Sequence, residues 1–391
     1  AKVETIEQLR DTESNLFGDS ANPFIMYTAD WLQPFRLIAQ QLLGQDPNSR
    51  AYEVQFDAQE SVGYHVIGSY ISPQLYARTP INVDPTDVTQ WLPFNEQSWP
   101  QNLDTVPLNV ETEVSPEQIW FWLMMPHEDK RAPGPVPVVI VGHGYGSNRF
   151  ESLAFAGYLA EHGFASIAID CPSHGMGMND DEAELANRLT GIYGISGFLS
   201  AANKGRAFDQ DLDGSPDSGV DYWSSYVFHT RDVVRQCVLD HMQLIRLIRS
   251  FDGQRRWGYD VNGDGESELA GDFNGDGAID IGIDSPISIL GASLGGIISS
   301  LVASLDPEVS VAVPISGGGG LGDIGLRSIQ GGVREAVILR VMGPVIMGEQ
   351  READTKVYAL MPELNNDGRR TLGSLPVLNQ YDTIFLENLD N

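Results

Sequence analysis

The chain has 391 residues, 42% of them hydrophobic, with 24 Lys and Arg against 54 Asp and Glu and a formal net charge of −30. That charge leaves no room for the basic patch a nucleic-acid binder needs, and it repels anionic membranes. No run of about 18 apolar residues is present to form a membrane-crossing helix, and two cysteines do not make a disulfide framework.

The length fits one large domain or two ordinary ones, and the opening Ala1-Lys2-Val3 fits a leader already removed. Residues 1–130 read as a β-rich N-terminal extension. Within it, 28–43 has helical periodicity, with Pro34 placed near the first turn. From 52 to 76, Val54, Phe56, Val62, Tyr64, Val66, Gly68 and Tyr70 nearly alternate, which predicts extended chain. Residues 78–116, rich in Pro, Asn and Asp, read as loop. The apolar run 119–125 predicts a strand that enters the sheet of the next region.

Residues 131–317 read as an α/β core with two insertions. A buried-strand run over 135–142 ends in His143-Gly144-Tyr145-Gly146, and a helix-like stretch over 150–160 follows. The next strand, 165–170, leads into Pro172-Ser173-His174-Gly175. Polar residues 176–224 form the first insertion. A long amphipathic helix over 225–251 then carries Val227, Val234, Val238, Met242, Leu244, Ile245 and Ile248 on its apolar face. After a second insertion, 252–284, a strand at 287–290 meets Gly291-Ala292-Ser293-Leu294-Gly295-Gly296, then a helical run and a strand at 309–316. Residues 318–391 read as a lid or inserted segment. Its hinge is 317–322, its apolar surface 337–347, and 381–386 is strand-like. Cys171 and Cys237 fit either two small buried side chains or one bridge, with the first favoured.

The most informative of these features is G-x-S-x-G between a strand and a helix. Such a turn crowds its own backbone, so residues without a β-carbon flank a serine held in a strained conformation. With the strand that ends in His143-Gly144 and the Asp170-x-Pro172-x-His174-Gly175 turn, the segment 135–317 resembles the α/β-hydrolase superfamily. The resemblance implies a mostly parallel sheet with helices on both faces. It implies Ser293 as nucleophile, and the backbone N–H groups of Tyr145 and Leu294 as the oxyanion hole.

The resemblance also implies an acid and a histidine after the serine, yet none of the seven histidines follows Ser293. Three explanations stay open. The chain is the front part of a longer hydrolase, with its last core strands, acid and histidine on a downstream polypeptide. Or the catalytic set is rearranged, drawing on His143, His174, His229 or His241, with Asp323 as acid. Or the fold is catalytically inactive and serves as a calcium-dependent binding or scaffold protein.

The second insertion carries a tandem. Asp260, Asn262, Asp264, Glu266 and Glu268 recur twelve residues later as Asp272, Asn274, Asp276, Ala278 and Asp280, with glycine at the sixth place of each unit. This resembles the calcium loops of EF-hands and dockerins, and implies oxygen ligands folded around Ca²⁺. At the twelfth place Gly271 and Ile283 replace the usual glutamate, so Asp272 and Asp284 are candidates to close the shell. A weaker third unit is Asp209, Asp211, Asp213, Ser215 and Asp217. The expected role of the ion is structural, because carboxylates this dense repel one another without it. Weak calcium loops, high acidity and few cysteines point to a secreted or cell-surface protein of bacterial type. Its expected substrates are small-molecule or lipid esters.

Overall fold

The runs 138–142, 165–169, 287–292 and 309–315 are short and rich in Val, Ile and Ala, the pattern of parallel strands covered on both faces. The computed structural model describes residues 24–41, 45–75, 115–184, 201–207, 215–220, 222–223, 227–258, 260, 263–328, 345–350, 355–360 and 369–375. In it these runs form β4 (Val138–Gly142), β5 (Ala165–Ile169), β6 (Ile287–Ala292) and β7 (Val309–Ile315). Three strands come from the N-terminal region: β1 (Phe24–Tyr27), β2 (Val62–Gln74) and β3 (Ser115–Pro126). The seven make one mixed sheet in the order β1-β2-β3-β5-β4-β6-β7, parallel from β5 to β7 and antiparallel elsewhere.

Alternation along β4 assigns the layers. Val138 and Ile140 face one core, together with α3 (Val227–Arg249) and α4 (Leu294–Leu305). Val139 and Val141 face the other side, against residues next to and within α2 (Leu153–Glu161). On that side Trp31 and Leu32 of α1 (Thr28–Gln41) pack with Trp122, Met124, Ala156 and Ala160. The helix after β4 and the helix after β6 therefore cover opposite faces. The C-terminal ends of those neighbouring strands are the place where open α/β sheets bind ligands. β7 is an edge strand: Val311, Val313 and Ile315 are 40–54% exposed, and Leu305 of α4 is 61% exposed.

Several expectations need correction. Residues 50–61 are helical, not extended, because the Ser49 hydroxyl accepts the Tyr52 N–H and starts a turn there. Tyr52 and Phe56, four apart, then stack with ring centroids 4.9 Å apart. Pro34 is the seventh residue of α1, beyond the first turn. Cys171 and Cys237 are not two separate apolar side chains. They are bonded, joining the turn after β5 to α3 across a sequence separation of 66. After β7 come α5 (Leu321–Arg327) and a three-stranded antiparallel sheet of β8 (Val345–Gln350), β9 (Thr355–Leu360) and β10 (Arg369–Leu375). The loop reading of 78–116 lies almost wholly outside the described residues, as do most of the apolar stretch 337–347 and the strand-like run 381–386.

The first insertion is stitched to the sheet by two buried arginines. Arg206 pairs with Asp240 on α3 at 2.7 Å and with Glu117 on β3 at 3.0 Å. Arg149 pairs with Asp170 and donates to the carbonyl oxygens of Ala202 and Lys204. Breaking such a pair leaves a buried charge without its partner, which costs about 3–5 kcal/mol.

Burial also creates an acid liability. His65 lies between Trp31 and Trp122, and burial lowers its pKa to about 3; burial likewise lowers His241 on α3 to about 4. Above pH 6.5 both rings are neutral, folded or unfolded. Below it the unfolded chain binds protons that the folded chain refuses, so stability falls as pH drops from 6.5 towards 4. Urea unfolding at pH 7 and pH 5 is expected to show a loss of about 1–2 kcal/mol per buried histidine. His65→Phe is expected to flatten that dependence.

Candidate active site

Ser293 stands at the corner between β6 and α4 with φ 55° and ψ −114°, a conformation L-residues avoid. Its N–H donates to the Ile315 carbonyl of β7 at 2.9 Å, and its carbonyl accepts from Ile297 at 3.1 Å. Both ends of the strained residue are thus tied to regular structure. The two motif glycines explain why the corner is this tight. A β-carbon on Gly295 would stand 2.1 Å from the Gly142 carbonyl oxygen, and one on Gly291 would stand 2.4 Å from the Gly295 backbone. The end of β4, the end of β6 and the start of α4 therefore meet backbone to backbone.

Leu294 opens α4, so its N–H belongs to the first turn, where no intrahelical acceptor exists and the helix dipole is positive. The facing turn after β4 is fixed by His143. Its Nε2 accepts the Cys171 N–H at 2.9 Å, so the ring proton sits on Nδ1, which donates to the Gly144 carbonyl at 2.8 Å. Gly144 C=O and Tyr145 N–H share one planar trans peptide, so holding the first sets the direction of the second. The Tyr145 ring packs among His174, Tyr222 and Trp223, with centroids 5.4–6.4 Å away. The first insertion adds Ser218, whose hydroxyl donates to the Ser147 carbonyl at 2.9 Å and accepts the Gly175 N–H at 3.2 Å. It links the turns after β4 and β5.

Among the described residues the histidines are engaged elsewhere than at Ser293. His174 and His241 bond through Nδ1 to the carbonyls of Pro172 and Cys237, and His229 is buried on α3. His127 and His162 are exposed and bonded to Asp129 and the Tyr158 carbonyl. Among the described residues no hydrogen bond joins Ser293 to any of the seven. Asp323, the candidate acid of a rearranged set, is exposed on α5 and faces Arg327 at 3.4 Å.

The tandem loops fold alike. Asp260 accepts the N–H groups of Gly263, Asp264 and Gly265, and Asp272 those of Gly275, Asp276 and Gly277. Asp264 accepts from Glu266, and Asp276 accepts from Ala278. Asp272 is fully buried, and no basic side chain pairs with it among the described residues. Burial raises its pKa to about 6 against the lowering effect of its N–H partners, with Asp280 and Asp276 adding repulsion. Asp280 is engaged: Arg131 holds it at 2.8 Å, and it accepts the Phe273 N–H. Glu268 is buried, Glu266 and Asp284 are exposed, and Ser215 and Asp217 lie beside the Ser218 link. Asn262, Asp209, Asp211 and Asp213 lie outside the described residues. Among the described residues no three His, Cys, Asp or Glu side chains converge as a metal-ligating group, and no helix is long and apolar enough to cross a membrane.

No protein-family model and no curated protein sequence matches the chain. Solved structures do align with it. An acetyl xylan esterase from Paenibacillus sp. R4 is 17% identical, with 80% of this chain and 64% of that one covered and a TM-score of 0.29. A ferulic acid esterase from Streptomyces cinnamoneus is 13% identical, covering 64% and 59%, also at 0.29. A cold-adapted esterase from an Arctic intertidal metagenomic library is 12% identical, covering 63% and 59%, at 0.25. The aligned part spans less than two-thirds of each of these proteins. At such TM-scores the likenesses carry no weight for an activity. The site is described by its own geometry: a strained serine, a helix N-terminus and a pinned turn meeting at the ends of β4 and β6.

Proposed function

We propose that this chain carries the nucleophile and the oxyanion donors of a secreted serine hydrolase for carboxylic esters. The observation that supports this most is the backbone of Ser293, strained at a strand–helix corner beside two sources of N–H donors. In this reading the Ser293 hydroxyl attacks the ester carbonyl carbon, its proton passes to a base, and the carbonyl oxygen becomes an anion. Leu294 N–H and Tyr145 N–H stabilise that anion, each worth on the order of 10²–10³ in rate. The acid and histidine come from a polypeptide outside residues 1–391. β7, the edge strand of the sheet among the described residues, offers such a polypeptide a strand to pair with. The Cys171–Cys237 bridge supports secretion, since such bonds persist in oxidising compartments. Small-molecule or lipid esters fit the apolar and aromatic surroundings of Tyr145.

That no histidine is hydrogen-bonded to Ser293 among the described residues favours one other reading, an inactive hydrolase fold used for calcium-dependent binding. Fluorophosphonate labelling of the protein from its native source decides between them. A label mapped to Ser293 supports the enzyme; no label on folded protein supports the binding protein.

We also propose that the tandem loops hold calcium in a structural role. The buried Asp272 carboxylate, with no cation beside it, is the feature that fits an ion. Asp272, Asn274, Asp276 and the Ala278 carbonyl are the groups that would hold it; Asp280 is engaged by Arg131. An ion that binds only the folded state stabilises by mass action, about 2.7 kcal/mol at a hundredfold excess over Kd. Chelation by EDTA is therefore expected to lower Tm by several degrees, and added calcium to restore it. An unchanged Tm would mean that the loops hold no structural ion.

A further inference from the structure

A carboxylate stands beside the candidate oxyanion turn that the proposed mechanism does not use. Glu151 Oε2 accepts the Gly144 N–H at 2.8 Å. A methyl group built on Gly144 would lie 3.4 Å from that oxygen and 3.9 Å from Ser293 Cβ. Gly144 therefore fills the gap between Glu151 and the serine. Among the described residues no cation pairs with Glu151, so the amide is its identified partner.

The carboxylate is presented on a rigid support. Glu151 belongs to the short 3₁₀ turn Arg149–Ser152, opened by Asn148, whose side chain accepts the Phe150 N–H. Arg149 is buried, its N–H bonded to Asp170 and its guanidinium to the insertion carbonyls. The Glu151 N–H donates to the Asn148 carbonyl.

We propose that Glu151 is a positioning residue for the oxyanion turn, acting through the Gly144 amide; this rests on the serine-hydrolase reading. Gly144 joins two peptide planes and has no side chain to limit their rotation. His143 Nδ1 and the Ser147 N–H hold the carbonyl of the second plane, and Glu151 holds the N–H of the first. With both planes held, the Tyr145 N–H keeps one direction before substrate arrives. Without Glu151 the first plane is free to rotate, and the turn samples orientations in which the Tyr145 donor misses the oxyanion. The bond is charge-assisted, which makes it a stronger hold than an amide acceptor. The requirement is for an acceptor, however, and the negative charge itself opposes an oxyanion forming nearby.

Amide hydrogen exchange and steady-state kinetics on Glu151→Ala and Glu151→Gln test this. Glu151→Ala is expected to speed exchange at Gly144 and Tyr145 at least tenfold, leaving the α4 amides unchanged. Its kcat on a soluble ester is expected to fall about ten- to a hundredfold with KM little altered. Glu151→Gln, which keeps an acceptor oxygen, is expected to restore both. Unchanged exchange at residues 143–147 in Glu151→Ala would overturn the proposal, as would a Gln variant no better than the Ala variant. If wild-type protein neither hydrolyses esters nor takes a fluorophosphonate label, the serine-hydrolase reading fails, and the exchange data alone still decide whether Glu151 holds the turn.

Discussion

Ser293→Ala is expected to abolish fluorophosphonate labelling and to lower ester hydrolysis by about 10⁴-fold or more. The variant keeps the backbone conformation and removes only the hydroxyl, so binding of a non-hydrolysable ester analogue is expected to stay near wild type. Ser293→Gly sharpens the test. At φ 55° and ψ −114° a serine holds about 1–3 kcal/mol of backbone strain that glycine does not feel. Glycine's greater loss of freedom on folding offsets part of the relief, leaving an expected gain of about 1 kcal/mol in stability. A variant that is more stable and inactive is the signature of strain kept for chemistry. A glycine variant that is less stable than wild type would mean the corner is not strained, and would remove the main support for the nucleophile.

Removing the Cys171–Cys237 bridge is the second large effect. The bonded residues are 66 apart in sequence, and closing a loop of that size constrains the unfolded chain by about 4 kcal/mol. The double variant Cys171→Ser/Cys237→Ser is therefore expected to lose about 2–5 kcal/mol in urea unfolding. Activity is expected to suffer beyond stability, because the bridge anchors the backbone at Cys171, whose main-chain N–H donates to His143, which in turn holds the Gly144 carbonyl. Residual ester hydrolysis measured where the variant is fully folded separates the two effects. Full activity there would show that the bridge staples the fold without reaching the site.

The parts of this molecule legible in its sequence are those set by local pattern. The strands β4 and β5 announce themselves because burial on both faces demands short, largely apolar runs, and β6 and β7 carry the same Val- and Ile-rich pattern although β7 is exposed. The corner at Ser293 is legible because its backbone crowding admits only glycine at 291 and 295. What escaped depends on partners distant in sequence. The 166–170 residue separations between Asp240 and its partners Gln74, Ser72 and Tyr70 leave no local trace. Neither does the Cys171–Cys237 bond, since two cysteines allow a pairing without requiring it. Glu151 reads as an ordinary polar residue at a helix start, and only the fold brings its carboxylate to Gly144. At 52–56, Val54 and Phe56 suit a strand, but Tyr52 and Phe56 also have helical spacing, and the Ser49 cap settles the choice.

The position of β7 at the edge of the described sheet bears on how molecules of this protein meet one another in solution. A Val-rich edge strand is adhesive, because an edge presents N–H and C=O groups that can template a strand from a second molecule. A net charge of −30 works against that encounter. The repulsion reaches about 30 Å at 0.01 M ionic strength and only about 8 Å at 0.15 M. Colloidal behaviour thus becomes a contest between a short-range sticky rim and a long-range charge cloud, and added salt shifts it towards the rim. The acidity that keeps partners of other kinds away also keeps copies of this chain apart.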